Sequence, residues 1–380
     1  MKRVVLFFAL AVLAFPLEAN AQKSLSRNKA RRQQMLMSQQ WIADAYKKYE
    51  QAVEDEVFES GDLKLKFKAI TYGEKPADGR SLYISMHGGG SVPAAVNDQQ
   101  WRNQIHLYKP AEGVYVAPRA PWDAWNMWFQ EGLDELFEML IQASVAHWDV
   151  NPDKVYLLGY SAGGDGVWRM APRMADRWAA ASMMAGHPGE ASQVNLRNTH
   201  FMIWMGENDS AYDRNTLAVK HGAIMDSLHW ADPQGYFHET HIVKGKGHWM
   251  DRVDAQAVPW MAQFKRNPYP DKIAWRQESV VRTSFYWLSV PECECRHGAT
   301  IVAERKGNVF DILQCDYSHI TLYLNDEMCD LDKPIEIYYQ GKRIFKGRVY
   351  RTLENMQQTL AQRGDLRYIF PAKVEVKLLD

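Results

Sequence analysis

A serine between glycines follows a short apolar run and could act as a nucleophile. The run Lys154–Leu158 predicts a buried strand, and Gly-Tyr-Ser-Ala-Gly occupies residues 159–163 directly after it. A Gly-x-Ser-x-Gly turn between a strand and a helix presents the serine Oγ above the sheet, and its glycines keep other side chains away from the tight turn. The spacing therefore predicts Ser161 as the nucleophile of an acyl-transfer reaction.

Three successive glycines follow another apolar run and could bind an oxyanion. His-Gly-Gly-Gly begins at residue 87, directly after the predicted strand Leu82–Met86. Successive glycines let backbone N–H groups turn inward without a Cβ clash, which suits donors to a tetrahedral intermediate. We expect one donor from Gly88 or Gly89 and the other from Ala162, the residue after the nucleophile.

A nucleophilic serine also needs a base, and the base needs an acid to orient it and stabilise its charge. When the nucleophile lies on such a turn, the chain order is serine, acid, histidine. His248 lies in a glycine-bearing loop after the predicted strand His241–Val243, so we expect it to be the base. In the loop after the strand Phe201–Met205, Asp209 is the predicted acid and Asp213 the alternative.

Aromatic side chains crowd the loops around these residues. Trp125 and Trp128 lie in one loop, and Trp249 directly follows the predicted base. Indole rings can stack on sugar rings or aryl groups, although the same rings could also pack the core of a large loop. We predict Trp125, Trp128 and Trp249 as substrate contacts, with His187 as a polar contact to substrate hydroxyls.

The elements that position these residues alternate between short apolar runs and amphipathic stretches over residues 61–270. The predicted strands are Leu82–Met86, Val114–Ala117, Lys154–Leu158, Ala179–Met184, Phe201–Met205 and His241–Val243, and the predicted helices are Leu133–His147, Gly164–Met174 and Asn215–Leu228. This alternation is typical of a mostly parallel α/β sheet covered on both faces, with ligands at the carboxyl ends of its strands.

The N-terminal segment indicates export. Lys2 and Arg3 precede an apolar run over residues 4–17, and Ala-Asn-Ala at residues 19–21 is a small-x-small cleavage pattern. We expect residues 1–21 to be a signal peptide and the mature protein to be secreted or periplasmic, without a stable membrane anchor after cleavage. An uncleaved N-terminal anchor is the alternative.

Two further segments flank the α/β region. Apolar residues recur at helical spacing over residues 22–60, which predicts an N-terminal helix. Residues 271–380 contain short apolar runs separated by turns and one helical stretch, Leu353–Arg363, which predicts a small β-sandwich-like domain. All four cysteines lie there, and an oxidising compartment would permit disulfides whose connectivity the sequence leaves open. The domain could be a binding module, or a lid and stabiliser.

The charge of the chain argues against one class of partner. Its 380 residues carry a formal net charge of −1. A general nucleic-acid binder needs a clustered positive surface, so we expect no nucleic-acid partner.

The motifs at residues 87–90, 159–164, 206–209 and 247–248 resemble those of secreted α/β-hydrolases related to polyhydroxybutyrate depolymerases, feruloyl and acetylxylan esterases, and prolyl-oligopeptidase-like hydrolases. The resemblance covers roughly residues 62–265. It implies the α/β-hydrolase fold and acyl-enzyme chemistry without a metal or other cofactor. It also implies an ester substrate, often attached to a carbohydrate or polyester.

These patterns predict an exported serine hydrolase that cleaves carboxylic esters of a small molecule, glycan or polymer. Two alternatives remain open. One is a serine peptidase on the same fold, and the other is a carbohydrate-binding protein that uses the tryptophan-rich loop or the β domain without catalysis.

Overall fold

The computed structural model describes residues 24–378. The predicted signal peptide, residues 1–21, lies outside the described residues. Among the helices of the described part, none is long and apolar enough to cross a bilayer.

The largest sheet in the described part of the chain has eight strands. In chain order they are β1 Val57–Ser60, β2 Leu63–Tyr72, β3 Arg80–Met86, β4 Gly113–Arg119, β5 Val150–Tyr160, β6 Ala180–Met184, β7 His200–Gly206 and β8 His238–Val243. Their order in the sheet is β1-β2-β4-β3-β5-β6-β7-β8. Strands β3 to β8 run parallel, whereas β1 and β2 pair antiparallel at one edge. This is the α/β-hydrolase fold, and it confirms the predicted fold class.

Helices cover both faces of this sheet. In chain order the helices are α1 Arg27–Glu54, α2 Ala94–Ile105, α3 Leu133–His147, α4 Ala162–Arg173, α5 Arg214–Ala231, α6 Ala257–Met261 and α7 Leu353–Arg363. An apolar core on one face includes side chains of α1, α3, α4 and α5. On the other face, a second core includes side chains of α2 and α6.

The burial patterns explain why these segments fold as they do. In α3, buried Leu133, Leu136, Phe137, Leu140 and Ile141 recur at three- and four-residue spacing, which forms one apolar stripe on a helix. In contrast, β4 is buried along its whole length, as expected of a parallel strand covered on both faces.

The predicted N-terminal helix over residues 22–60 is too long at its C-terminal end. Helix α1 ends at Glu54, and Glu56 has a positive φ of 54° that ends the helical path. The following residues form β1, in which Phe58 is fully buried and pairs with Leu65 of β2. The four-residue spacing of Val53 and Val57 fits a helix, but pairing with β2 determines the fold there.

The C-terminal part contains two further sheets that share one hydrophobic core. Its strands are β9 Lys272–Arg276, β10 Ser284–Phe285, β11 Leu288–Ser289, β12 Thr300–Lys306, β13 Val309–Cys315, β14 His319–Leu324, β15 Ile335–Tyr339, β16 Lys342–Gly347 and β17 Ala372–Lys377. One sheet has the order β10-β11-β14-β17 and the other β16-β15-β13-β12-β9. All four cysteines are free thiols, and Cys315 and Cys329 are buried.

Buried ion pairs join this β unit to the hydrolase part. The carboxylate of Asp365 accepts hydrogen bonds from Arg177, at 2.6 Å, and from Arg266, at 2.7 Å. Although burial alone would raise the pKa of Asp365, the Arg266 and Arg177 guanidiniums hold it well below its usual range. A second buried pair joins Arg363 to Asp176. Both units therefore depend on the same small group of charges.

These contacts lie at the end of α4 that is far from the predicted nucleophile. The hydroxyl of Tyr286 donates to the carbonyl of Ala175 at 2.9 Å, and that of Tyr368 donates to the carbonyl of Asp176 at 2.9 Å. Helix α4 begins next to Ser161 and rises 1.5 Å per residue, so these anchor points lie about 20 Å from Ser161. The β unit thus contacts the chain just after the C-terminal end of α4. A lid would instead have to lie over the carboxyl ends of the strands, so this position favours a stabilising role over a lid.

We predict that Asp365→Asn lowers the free energy of unfolding by about 3–5 kcal/mol, because two buried guanidiniums lose their shared counter-charge. Urea unfolding followed by tryptophan fluorescence measures the change. Asp149→Asn is the control, since it removes an exposed ion pair with Lys75 that water screens. Equal effects of the two substitutions would contradict the prediction.

Candidate active site

The turn between β5 and α4 holds Ser161 in a strained backbone conformation. Its φ is 58° and its ψ is −122°, a region that few residues other than glycine adopt. A Cβ at residue 159 would collide with the backbone of Gly163, and a Cβ at residue 163 would collide with the carbonyl oxygen of Met86. The backbone N–H of Ser161 donates to the carbonyl of Met184 at 2.9 Å, which fixes the turn against β6.

Three side chains from separate loops meet at this turn. The Nε2 atom of His248 lies 2.8 Å from Oγ of Ser161, and its Nδ1 atom lies 2.7 Å from Oδ2 of Asp209. The Asp209 side chain is 2% exposed, whereas that of His248 is 44% exposed. The alternative acid, Asp213, is exposed at the start of α5 and has no hydrogen bond to His248. The three side chains thus form a continuous hydrogen-bonded series from a buried carboxylate to the serine hydroxyl, through an imidazole that is partly open to solvent.

Backbone hydrogen bonds join the loop after β7, which carries Asp209, to the loop after β8, which carries His248 (the histidine loop). The N–H of Asn208 donates to the carbonyl of Lys246 at 2.8 Å, and the N–H of Glu207 donates to the carbonyl of Val243 at 3.0 Å. The carboxylate of Glu207 also accepts from the N–H of Gly245 at 2.8 Å. The distance between the triad acid and histidine is therefore set by the pairing of two adjacent loops.

Tyr160 fixes the other side of the histidine loop. Its hydroxyl donates to the carbonyl of His248 at 2.6 Å and accepts from the N–H of Met250 at 3.0 Å. Burial raises the pKa of Tyr160, so the phenol keeps the proton that it donates. Because Tyr160 directly precedes Ser161, the serine and the histidine loop are fixed relative to each other. No local pattern in the sequence indicates this role of Tyr160.

The predicted oxyanion donors lie beside the nucleophile. A Cβ at residue 88 would lie 3.2 Å from Cβ of Ser161, so the backbone of Gly88 packs against the serine. Gly89 has a φ of 119°, which favours glycine. Ala162 is the first residue of α4, where the backbone N–H has no acceptor within the helix. Gly88, Gly89 and Ala162 therefore remain the candidate donors.

A buried asparagine holds the loop of Gly88, Gly89 and Gly90 (the glycine loop) in place. Oδ1 of Asn97 accepts from the N–H of Gly90 at 3.0 Å, so that N–H is not free to bind an oxyanion. Nδ2 of Asn97 donates to the carbonyl of Gly90 at 3.0 Å and to Asp123 at 2.7 Å. Asn97 lies on α2, a helix absent from the sequence-based prediction, and a single asparagine in a polar stretch gave no signal of this role.

The neutral ring of His87 also stabilises the glycine loop through hydrogen bonds. Its Nε2 atom accepts from the N–H of Ala120 at 3.1 Å, so Nδ1 carries the proton and donates to the carbonyl of Gly88 at 2.6 Å. Burial lowers the pKa of His87 to about 4. The bonding pattern and the charge state agree, since a protonated ring could not accept the Ala120 bond.

The predicted aromatic contacts separate into two groups. Trp125, 66% exposed, lies beside Gly90, and Trp249, 49% exposed, packs against Tyr160 with 5.5 Å between ring centroids. Both rings are thus open to solvent, and their residues lie beside Gly90 and Tyr160. Trp128, in contrast, is fully buried, and its indole N–H donates to the carbonyl of His87 at 2.9 Å. The prediction of Trp128 as a substrate contact is wrong, because this ring supports the loop from inside the core.

The predicted polar contact, His187, lies in the loop after β6. Its backbone N–H donates to Oδ1 of Asp165 at 2.6 Å, and its Nδ1 atom accepts from the N–H of Gly189 at 2.9 Å. Burial, with a smaller effect of the Arg214 charge, lowers the pKa of His187. Burial also raises the pKa of Asp165 to about 6.

Across residues 24–378, no group of three or more His, Cys, Asp or Glu side chains is arranged to hold a metal ion.

Comparison with known proteins gives similar structures but no sequence relatives. No protein-family model matches the chain, and no curated protein matches it. A solved thermostable esterase is 16% identical with a TM-score of 0.42, over 55% of this chain and 62% of the esterase, which is less than two thirds of its length. A ferulic acid esterase is 15% identical with a TM-score of 0.39, over 55% and 96% of the two chains. A fluorophosphonate-binding serine hydrolase F from Staphylococcus aureus is 11% identical with a TM-score of 0.38, over 54% and 96%. At these values no activity can be carried over from those proteins to this chain.

We predict that His87 makes stability depend on pH. The ring has a pKa of about 4 when folded, and about 6.5 is usual in an unfolded chain. The unfolded state therefore takes up the proton first as the pH falls. The contribution of the neutral His87 ring to the free energy of unfolding is fully present above pH 6.5 and is lost towards pH 4. The loss amounts to at most about 3 kcal/mol, at 1.36 kcal/mol per pKa unit.

Urea unfolding of the wild type and of His87→Gln across this pH range measures the contribution. The variant should be less stable near neutral pH, and the gap between the two proteins should narrow as the pH falls. Parallel stability curves over the whole range would exclude a buried neutral histidine at this position.

Proposed function

We propose that this chain is a serine hydrolase that cleaves carboxylic esters through an acyl-enzyme. The observation that carries the proposal is the continuous hydrogen-bonded series Asp209–His248–Ser161 at the carboxyl ends of three parallel strands. The glycine loop beside Ser161 supplies the second requirement, donors for the charge that develops on the carbonyl oxygen.

The geometry supports the following first half-reaction. Oγ of Ser161 attacks the ester carbonyl carbon while Nε2 of His248 takes the hydroxyl proton. The carbonyl oxygen becomes an oxyanion that accepts from the N–H of Ala162 and of Gly88 or Gly89. When the tetrahedral intermediate collapses, the bond to the alcohol oxygen breaks and His248 gives its proton to that oxygen. Asp209 stabilises the imidazolium throughout.

The second half-reaction uses the same groups with water as the nucleophile. His248 takes a proton from water, and the resulting oxygen attacks the acyl carbon bound to Ser161. The second tetrahedral intermediate collapses with return of the proton to Oγ, and the carboxylic acid leaves. The partial exposure of His248 gives both the alcohol and the water access to its Nε2 atom.

The exposed rings beside the triad favour an ester with a flat or ring-shaped group. Trp125 and Trp249 present indole surface on different loops around Ser161. Apolar rings of this kind stack on sugar and aryl groups. We therefore propose a substrate whose ester is linked to a carbohydrate or an aryl group, in preference to a short linear ester.

We also propose that the enzyme acts outside the cytoplasm, in the periplasm or the medium. The support is the sequence of residues 1–21, with its charged start, apolar run and small-x-small end. N-terminal sequencing of protein recovered from these compartments should begin near Gln22, and a start at Met1 would contradict export with cleavage.

We predict that Ser161→Ala and Asp209→Asn each lower kcat for ester hydrolysis by on the order of 10⁴-fold or more, as loss of a triad member does. Asp213→Asn, on the same loop as Asp209, is the matched control and should retain wild-type kcat. A fluorophosphonate probe should label the wild type at residue 161 and leave Ser161→Ala unlabelled. Full activity of Ser161→Ala would refute the proposal.

A substrate panel separates the alternatives. We expect aryl and sugar esters to be cleaved with higher kcat/KM than short linear esters, and Trp125→Ala to raise KM for the former group selectively. Aminoacyl amides cleaved faster than esters would favour a peptidase. Binding of glycans without turnover of any ester would favour a non-catalytic carbohydrate-binding protein.

A further inference from the structure

The acid of the triad has two carboxylate oxygens, and only one of them holds the histidine. Oδ2 of Asp209 bonds His248, whereas Oδ1 lies 3.8 Å from Nη1 of Arg214. The side chains of Asp209 and Arg214 are 2% and 13% exposed. This is an ion pair with little access to water, so its charges are weakly screened.

The guanidinium of Arg214 is held in place with few hydrogen bonds of its own. It stacks on the ring of Tyr212 at 4.9 Å from the centroid, and Nη1 donates to the carbonyl of Ala211 at 3.4 Å. Its Nε atom is buried and has no hydrogen-bond partner in the described part of the chain. A buried guanidinium donor without a partner is unfavourable, so its position needs another explanation.

A second, partly buried carboxyl, that of Asp165, lies in the first turn of α4. Asp165 is one helical turn after Ser161, and one of its oxygens holds the backbone N–H of His187. Burial raises the pKa of Asp165 to about 6, and the charges of Arg214, His248 and Arg169 oppose that rise. Of these two carboxyls, only that of Asp209 bonds His248.

The elements that form this site carry further charged groups. They are Asp165 and Arg169 on α4, His187 after β6, Asp209 and exposed Asp213 after β7, and His248 after β8. Only Asp209 lies within 4 Å of its guanidinium nitrogens as an ion-pair partner in the described structure.

We propose that Arg214 is a positioning residue that holds the Asp209 carboxylate with Oδ2 towards His248. This inference rests on the proposed function, since it concerns the same triad. Without the guanidinium, Oδ1 of a buried carboxylate has no cation beside it. Asp209 can then rotate away from the geometry that orients the imidazole.

The test compares Arg214→Met, Arg214→Lys and the control Asp213→Asn as full-length proteins. Arg214→Met should lower kcat by about 10–100-fold, the scale of losing one favourable contact to a charged group, with KM nearly unchanged because Arg214 need not touch substrate. Arg214→Lys keeps the charge and should recover much of the loss. Asp213→Asn changes the charge of the adjacent residue without altering the ion pair and should behave as the wild type.

Two further readouts separate positioning from a merely structural role. In Arg214→Met the acid limb of kcat/KM should move to higher pH, because the cation beside the Asp209 carboxylate is gone. The low-field proton resonance of the His248–Asp209 hydrogen bond should weaken or shift in Arg214→Met and be retained in Arg214→Lys. This resonance is measured without substrate.

The outcomes are distinct. Wild-type kcat in Arg214→Met, or a loss of kcat with an unchanged pH profile and an unchanged proton resonance, would overturn the inference. If the wild type cleaves no ester, the proposed function fails, and the resonance still decides whether Arg214 holds Asp209. A lower melting temperature of Arg214→Met with normal kcat would show a structural role only and would also overturn it.

Discussion

The conformation of Ser161 is the constraint on which the rest of the site depends. A residue with φ of 58° and ψ of −122° is held there only if its surroundings leave it no alternative. The absence of side chains at Gly159 and Gly163 lets β3, β5 and α4 approach each other closely enough to do so. The same approach brings the glycine loop after β3 next to the serine. One packing requirement thus sets the position of both the nucleophile and the candidate oxyanion donors.

The sequence was most informative where a residue type is required at the end of a strand. Ser161, Asp209 and His248 follow β5, β7 and β8, and parallel strands bring their carboxyl ends to one edge, so local patterns sufficed to bring the three together. Helices α3 and α7 were predicted with the bounds that the structure has, because apolar residues recur regularly in α3, and Thr352 and Gly364 cap the two ends of α7.

Other features depend on tertiary contacts that no local pattern encodes. Trp125 and Trp128 lie three residues apart in the same loop, yet the ring of Trp125 is exposed to solvent and that of Trp128 is buried against His87. The bracing role of Asn97 follows from where α2 packs, and helix α2 itself is too polar to stand out. Strand β1 exists because β2 pairs with it, which a helical spacing of valines cannot reveal.

The arginines at the far end of α4 limit how this protein can be taken apart or recombined. The helix that begins at the nucleophile ends among guanidiniums whose counter-charges come partly from residues more than 180 positions later, such as Asp365. A chain cut after the large sheet would remove the Asp365 carboxylate from Arg177 and Arg266, and it would leave the buried Asp176 without Arg363. The β unit therefore cannot be exchanged by itself. A domain exchange with another hydrolase would have to transfer Asp365 and Arg363 together with the arginines and the aspartate that they contact.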